Sequence, residues 1–323
     1  MKNKTIKCLS SLAATAAVVA PVVLTTSCTN IAPIQFERGF IAHRGLCSQA
    51  FQNSEQAFIL AGEDSTIGGI ETDIYMTLDG VLVCSHDDNA FDKLDQTGDI
   101  TPLITQSNWN GAGGISETVP DIAWKRNGIE PTTPLATFDR YLEICRENYK
   151  APVVELKQQV TIDLADQFVN EIMRLLQKHN LVDDTIFISF NHSGNGGVDL
   201  LAKLKNEHGQ KKLQRLFPWT STTPVTKDDL IKCVDDGYSI DINYENVIGN
   251  NRIINNIVGL DNTYTNDSKK SDWQEVVEYA HKKDLKVNVW TVNNWSDMLT
   301  MLNKGVDYIT SDFAPVEDSF FVA

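Results

Sequence analysis

The chain has 323 residues, 42% of them hydrophobic, enough for one large α/β barrel or for two ordinary domains. Its formal charge of −15 argues against a nucleic acid as partner, because such binding depends on Lys and Arg neutralising phosphates. A small anionic substrate stays compatible with this charge, provided that a cation or a local cluster of Arg and Lys offsets the repulsion.

Residues 1–27 have the pattern of a bacterial signal peptide, with three early lysines followed by a weakly apolar run of 16 residues, short for a membrane span. A small residue directly precedes Cys28, which predicts a lipoprotein cleavage site with Cys28 lipidated, although Thr25 stands where such sites usually have Leu. The alternatives are an uncleaved anchor and a plain secretory signal. All three place the domain outside the cytoplasm, and lipidation would tether it to the bacterial cell membrane through residues 28–38.

Short apolar runs rich in β-forming residues recur along the rest of the chain. Eight of them alternate with stretches that include helical periodicity, and they predict the strands Gly39–His43, Gly69–Tyr75, Pro152–Leu156, Thr185–Phe190, Gln214–Trp219, Tyr238–Ile242, Lys286–Val292 and Asp307–Thr310. Eight alternating βα units are typical of a TIM (β/α)8 barrel, an α/β fold whose active site lies at the carboxyl ends of the strands. We therefore predict one barrel domain over residues 39–317, with a short tail at 318–323.

A ninth apolar run, Gly80–His86, follows the dipeptide Asp79-Gly80, which is a strong signal for a tight hairpin. We expect this run to be an extra antiparallel strand that brings His86 back beside Glu71 and Asp73. Residues 88–133 show little periodicity and many Gly, Thr, Asn and Trp residues, so we expect an inserted segment over the barrel mouth.

Three acidic residues are expected to point into the barrel from two strands. Glu71 and Asp73 are two apart on one strand and therefore share a face, and Glu155 and Lys157 repeat that spacing on the next barrel strand. Inward carboxylates are costly unless a cation joins them. Their hard oxygen ligands predict a site for Mg²⁺ or Ca²⁺. The alternative is internal pairing of these acids with Arg44 and Lys157.

Two histidines, His43 and His86, are expected near that acidic cluster at the ends of strands. Cleaving a phosphodiester requires one group to remove a proton from the attacking oxygen and another to protonate the departing alcohol, and histidine titrates near neutral pH. Arg44 and Lys157 supply the positive charge that holds phosphate oxygens. Trp290, at the end of a late strand, either lines the pocket or packs in the core.

Taken in order, these motifs resemble the glycerophosphodiester phosphodiesterases. The resemblance runs from about Ile41 to Pro315, is weakest over 88–133, and rests on His43-Arg44-Gly45, Asn53-Ser54 with Ala57-Phe58, Glu71-x-Asp73, Thr77-x-Asp79-Gly80, His86-Asp87, Glu155-x-Lys157, Trp290-Thr291-Val292-Asn293, Gly305-Val306-Asp307 and Thr310-Ser311-Asp312. It implies a TIM barrel that hydrolyses glycerophosphodiesters, such as deacylated phospholipid head groups, to glycerol 3-phosphate and an alcohol.

The resemblance also implies roles for individual residues. It implies a divalent metal on Glu71, Asp73 and Glu155, acid and base catalysis by His43 and His86, and substrate binding by Arg44, Lys157, Trp290 and Asn53. The family's usual Pro-Glu-Asn reads Phe51-Gln52-Asn53 here, so Gln52 keeps the size of Glu without its charge. The alternatives are a phospholipase D-like enzyme that takes intact lysolipids, and a surface lipoprotein that binds a ligand with impaired catalysis.

Overall fold

Apolar β-forming runs become the strands of one sheet that closes on itself. A computed structural model describes residues 32–91, 102–121, 125–190, 197–218, 224–248, 259–262 and 270–315. Within these ranges the strands are β1 Gly39–Ala42, β2 Ile67–Met76, β3 Leu82–Cys84, β4 Ala151–Glu155, β5 Ile186–Ser189, β6 Leu213–Phe217, β7 Ser239–Asn243, β8 Val287–Trp290 and β9 Tyr308–Ser311. All except β3 run parallel, and β1 pairs with both β9 and β2. These pairings confirm the predicted eight-stranded barrel.

Helices separate most of the barrel strands and cover the outside of the barrel. They are α1 Glu55–Glu63, α2 Phe138–Glu147, α3 Ile162–His179, α4 Leu200–His208, α5 Lys227–Asp235, α6 Glu245–Ile248, α7 Asp272–Lys282 and α8 Trp295–Asn303. Their starts are locally encoded, because Thr226 and Ser271 begin α5 and α7 with complete capping boxes. The longest, α3, turns an apolar stripe that includes Phe168, Ile172 and Leu176 into the core.

The main core lies between the barrel strands and the surrounding helices, and from Pro33 onward the chain forms one compact unit. Ile34 and Phe36, which the predicted boundaries assign to the tether, are 7% and 5% exposed and belong to this core. Phe36 packs against Tyr308 with ring centroids 4.9 Å apart. The packed part of the chain therefore starts a few residues before the first strand.

The predicted hairpin is present, with β3 antiparallel to β2 on the outside of the barrel. Gly80 lies in the connecting turn at φ +83°, a backbone conformation that L side chains rarely adopt, and its N–H donates to the Thr77 carbonyl. The strand is shorter than the predicted Gly80–His86 because Gly80 belongs to the turn. Ser85 and His86 lie beyond its end, which leaves the His86 side chain available to the barrel mouth.

The described parts of the inserted segment pack around a second, smaller apolar cluster. This cluster includes Val83 of β3 together with Phe91, Ile104 and Ile115 of the insert. The Asp79 carboxylate accepts hydrogen bonds from the backbone N–H groups of residues 109 and 110. The hairpin therefore anchors the insert to the barrel.

The predicted signal peptide, Cys28 and the C-terminal tail lie outside the described residues. Within the described ranges, the structure has no helix with the length and apolar character needed to cross a membrane.

Candidate active site

Three buried carboxylates meet at the carboxyl ends of β2 and β4. Glu71 and Asp73 share a face of β2, and Glu155 lies opposite Asp73 in the parallel register. One oxygen from each residue lies within 4.8 Å of the others, and the three residues are 2%, 0% and 8% exposed. Burial, followed by repulsion from Asp73, raises the pKa of Glu155 to about 7 and that of Glu71 well above its usual value. The sequence therefore identified a real convergence of three acids.

Two cations lie beside this carboxylate cluster. Arg44 Nε is 3.4 Å from Asp73 Oδ2, and Lys157 Nζ is 3.5 Å from Asp73 Oδ1 and 3.1 Å from Glu155 Oε1. Although burial alone raises the pKa of Asp73, these two cations hold it well below its usual range. Within the described residues, Asp73 Oδ1 and Glu155 Oε1 are buried and have these ion pairs with Lys157, but neither oxygen accepts a well-aligned hydrogen bond. The two cations therefore satisfy the three acids only in part.

The backbone after β1 is shaped to aim Arg44 into the barrel. Arg44 has φ +57°, and its N–H donates to Glu71 Oε2 at 2.7 Å. Gly45 follows at φ +74°, where a Cβ atom would lie 2.6 Å from a backbone carbon of Ala57. A side chain is therefore excluded at Gly45 by backbone conformation and by space.

His43 is held by the carboxylate of Asp312, a residue for which the sequence predicted no role. Its Nδ1 lies 2.8 Å from Asp312 Oδ1, at the end of β9. Because an ionised carboxylate only accepts, this contact places the ring proton on Nδ1 and leaves Nε2 as the nitrogen that can exchange a proton. Burial, and then the Arg44 charge, lowers the pKa of His43 to about 3, so the ring is neutral at physiological pH.

His86 is held too, at both of its ring nitrogens. Its Nδ1 lies 3.1 Å from Asp87 Oδ1, and its Nε2 lies 3.0 Å from Lys157 Nζ. The neighbouring carboxylates Asp73 and Glu155 raise the pKa of Lys157 although its burial opposes this, so Lys157 is charged and donates to His86 Nε2. Each histidine thus has a carboxylate at Nδ1, which fixes its ring orientation.

Gln52 and Asn53 lie behind the reactive groups. Gln52 Oε1 accepts a 2.6 Å hydrogen bond from Arg44 Nη1. Asn53 Nδ2 donates to Asp73 Oδ2 at 2.9 Å, while its Oδ1 accepts from Thr72 Oγ1 at 2.8 Å. Asn53 is 2% exposed and does not line the cavity. This placement indicates that Asn53 orients Asp73, whereas the resemblance implies that Asn53 contacts the substrate.

These groups open into one cavity of about 240 Å³ at the barrel mouth. It brings together most of the predicted site residues: His43, Arg44, Glu71, His86, Glu155, Lys157 and Trp290. The opposite wall is largely apolar, formed by Ile188, Phe190, Leu216 and Trp290, with the Phe190 and Trp290 rings edge to face. The cavity is therefore polar on one side and apolar on the other, as a phosphate ester with an organic substituent requires.

Three further residues complete the site, and the sequence predicted no role for any of them. Asp312 was visible only as the end of the Thr310-Ser311-Asp312 motif. Arg126 comes from the inserted segment, donates from Nε to Asp312 Oδ1 at 2.6 Å and lines the cavity. Asp241 lines it from β7, where its only signal is an acid within an apolar strand.

Comparisons with known proteins identify the family of this chain. The profile of the glycerophosphoryl diester phosphodiesterase family matches residues 43–316. A glycerophosphodiester phosphodiesterase of Arabidopsis thaliana is 25% identical over 335 aligned positions, covering 87% of this chain and 85% of the relative. One from Caldanaerobacter subterraneus is 24% identical, covering 84% and 93%.

Solved structures share the fold. A glycerophosphodiester phosphodiesterase from Parabacteroides distasonis superposes with a TM-score of 0.56 at 20% identity, covering 87% of this chain and 95% of that one. A phosphodiesterase of Oleispira antarctica, solved in complex with the product sn-glycerol-3-phosphate, gives 0.54 at 19% identity, covering 86% and 94%.

A TIM barrel with paired histidines, cations and acids at its mouth defines the chain as a phosphodiester hydrolase. The chain belongs to the glycerophosphoryl diester phosphodiesterase family, which confirms the resemblance drawn from its motifs.

Proposed function

We propose that this protein hydrolyses glycerophosphodiesters, the deacylated head groups of phospholipids, to glycerol 3-phosphate and an alcohol. The observation that carries the proposal is the pair of carboxylate-backed histidines, His43 with Asp312 and His86 with Asp87, beside two cations in one cavity. Family membership supports it, as does the product bound to the Oleispira antarctica phosphodiesterase.

The proposal includes a divalent cation, Mg²⁺ or Ca²⁺, held by Glu71, Asp73 and Glu155. The residues fit such an ion because their oxygens cluster within 4.8 Å, and among the described residues the buried Asp73 Oδ1 and Glu155 Oε1 are paired with Lys157 but accept no well-aligned hydrogen bond. All three donors are the hard oxygens that these cations prefer. When bound, the cation neutralises charge on the phosphate and polarises its oxygens.

The chain's own groups then divide the remaining work. Arg44 and Lys157 hold the phosphate oxygens and stabilise the charge that builds up on them. One histidine takes a proton from the attacking oxygen, which belongs to water or to the glycerol 2-hydroxyl. Attack by the hydroxyl forms a cyclic phosphate, which water then opens to glycerol 3-phosphate with the same two proton transfers reversed. The other histidine protonates the departing alcohol. The histidine that acts as the acid enters the step with a proton on both ring nitrogens and leaves it neutral. Asp312 and Asp87 each hold Nδ1–H of their ring, so that Nε2 is the nitrogen that exchanges the proton.

The test is glycerol 3-phosphate release from glycerophosphocholine by the wild type and by His43→Ala and His86→Ala. We expect each variant to lose about 10²–10⁴-fold in kcat, the usual contribution of a positioned acid or base. His281→Ala is the matched control, because His281 also bonds a carboxylate, Asp307, but lies outside the cavity. Full turnover in either cavity variant would remove that histidine from the mechanism.

Chelation and substrate choice complete this test. We expect EDTA to abolish turnover and added Mg²⁺ or Ca²⁺ to restore it, whereas turnover that EDTA leaves intact would exclude a metal. We expect faster hydrolysis of glycerophosphocholine than of lysophosphatidylcholine. The opposite preference would identify the lysolipid enzyme instead.

We also propose that the mature protein starts at Cys28 and is attached by a lipid to the outer face of the bacterial cell membrane. The support is the basic start, the apolar run and the small residue before Cys28. Cys28→Ala should shift the protein out of the membrane fraction of the cell. Unchanged membrane association of that variant would contradict lipidation.

A further inference from the structure

Asp241 is a buried acid in the wall of the cavity that the proposed mechanism does not use. It lies in β7, whose sequence is Ser-Ile-Asp-Ile-Asn, between Ile240 and Ile242. Side chains alternate along a strand, so Asp241 takes the face opposite these two isoleucines and turns toward the barrel interior. It is 1% exposed and lines the cavity.

The carboxyl group of Asp241 is poorly satisfied. Its Oδ1 atom is buried without a hydrogen-bond partner in the described part of the chain, and no Lys, Arg or His there forms an ion pair with it. Burial raises its pKa to about 8, an effect that hydrogen bonding from Asn288 only partly offsets. A buried polar atom without a partner costs on the order of 1–3 kcal/mol, so its presence in a cavity wall indicates a ligand that supplies the missing bond.

The surroundings of Asp241 indicate which part of a substrate reaches it. Its backbone carbonyl accepts a 3.3 Å hydrogen bond from Trp290 Nε1, which holds the indole against β7 at this residue, and both residues line the cavity. Its register neighbour on β6 is Leu216, another residue of the apolar wall. The cations Arg44 and Lys157, by contrast, lie with the carboxylate cluster of β2 and β4. With the phosphate on those cations, the organic part of the ester lies along the wall that contains Asp241.

We propose that Asp241 is a specificity-determining residue that hydrogen bonds a hydroxyl group on the organic part of the substrate; this inference rests on the proposed diesterase function. A neutral carboxyl group offers one donor and one acceptor, which matches the donor and acceptor of a hydroxyl. A hydroxyl also brings no charge into an apolar wall. A quaternary ammonium group has no hydrogen to give to Oδ1 and would leave it unsatisfied.

The first experiment measures binding with a matched pair of ligands. Isothermal titration of sn-glycerol 3-phosphate and n-propyl phosphate compares two monoesters with the same carbon count, one with hydroxyls and one without. Asp241→Leu and Asp241→Asn each keep the side chain's number of heavy atoms, but only Asn retains a donor and an acceptor. We expect Asp241→Leu to bind sn-glycerol 3-phosphate about 10- to 100-fold more weakly, with n-propyl phosphate unaffected.

Asp241→Asn should stay within about threefold of the wild type for both ligands, because its amide can still bond a hydroxyl. A packing role for Asp241 would change both ligands alike. If Asp241→Leu keeps the wild-type preference for sn-glycerol 3-phosphate, a hydroxyl of the glycerol is excluded and only a head-group hydroxyl, tested by the second experiment, remains. The proposal is overturned if Asp241→Asn loses that preference as fully as Asp241→Leu.

The second experiment finds the source of the hydroxyl by comparing KM and kcat for two diesters. In glycerophosphocholine the hydroxyls are on the glycerol, whereas glycerophosphoinositol also carries them on the head group. A raised KM of Asp241→Leu for both diesters places the hydroxyl on the glycerol, and a raised KM for glycerophosphoinositol alone places it on the head group. Unchanged KM for both would overturn the proposal. A wild type that hydrolyses neither diester refutes the diesterase function instead, while the binding experiment still tests Asp241.

Discussion

Replacing Asp312 by Asn tests whether the carboxylate behind His43 is required for turnover. Among the described residues, Asp312 Oδ1 accepts from His43 Nδ1, Arg126 Nε and Cys47 Sγ, and Oδ2 accepts from Asn293 Nδ2 at 2.7 Å. A carboxylate can satisfy donors on both sides, but an amide carries an NH2 group on one of them. Asp312→Asn therefore sets a donor against another donor in either orientation of the amide.

The expected loss in kcat depends on the orientation that the new amide of Asp312→Asn takes. If its NH2 group faces His43, the ring must accept at Nδ1 and carry its proton on Nε2, which blocks proton uptake there. A wrong tautomer of this kind lowers kcat by about 10⁴ in serine proteases, so we expect a loss of about 10²–10⁴-fold. If the NH2 group faces Asn293 instead, His43 and Arg126 lose a charged acceptor. The unsatisfied donors should lower the free energy of unfolding by about 1–3 kcal/mol in either case.

The assay is glycerol 3-phosphate release at saturating glycerophosphocholine, alongside urea unfolding of the same samples. Asp307→Asn is the matched control, since Asp307 Oδ2 accepts from His281 Nε2 at 2.8 Å and from Val287 N at 2.9 Å, outside the cavity. We expect it to lose stability and keep kcat. A folded Asp312→Asn that retains kcat within about threefold of the wild type, or equal losses of kcat in both variants, would exclude a specific role of this carboxylate in turnover.

Further substitutions test the roles of other residues around the cavity. Gln52→Glu should keep activity within a fewfold of the wild type, because the Gln52 carbonyl already accepts from Arg44. Gln52→Leu should raise KM, because it leaves Arg44 Nη1 without that partner. Equal KM values for Gln52→Leu and the wild type would contradict this role. Arg126→Leu should lower kcat/KM by about tenfold, because the cavity loses a cation. If kcat/KM of the variant equals that of the wild type across a range of ionic strength, Arg126 has no such role. Burial raises the pKa of Asp241 from about 4 in the unfolded chain to about 8 in the fold, so the fold loses stability as the pH rises between these values. The free energy of unfolding should fall by about 1.4 kcal/mol per pH unit in this range relative to Asp241→Asn. Parallel stability curves for the two proteins would contradict that assignment.

The features that depend on short-range geometry could be predicted from the amino-acid sequence. Glu71 and Asp73 had to share a face because side chains on a strand alternate with a period of two. The Asp79-Gly80 turn predicted the hairpin because only a few residues tolerate its positive backbone angle. Eight strands alternating with helices then restricted the fold to a barrel, since parallel strands need a crossover between them.

The distant residues that complete those local features could be identified only in the folded structure. Asp312 supports His43 across 269 positions of sequence because closure of the barrel places β9 beside β1. Arg126 reaches the cavity from an insert whose sequence carries no regular pattern, and Asp241 became significant only when its buried oxygen was found to lack a partner within the described residues. A local pattern specifies which face a side chain takes on its own strand, whereas its partner across the barrel depends on the packing of all the strands together.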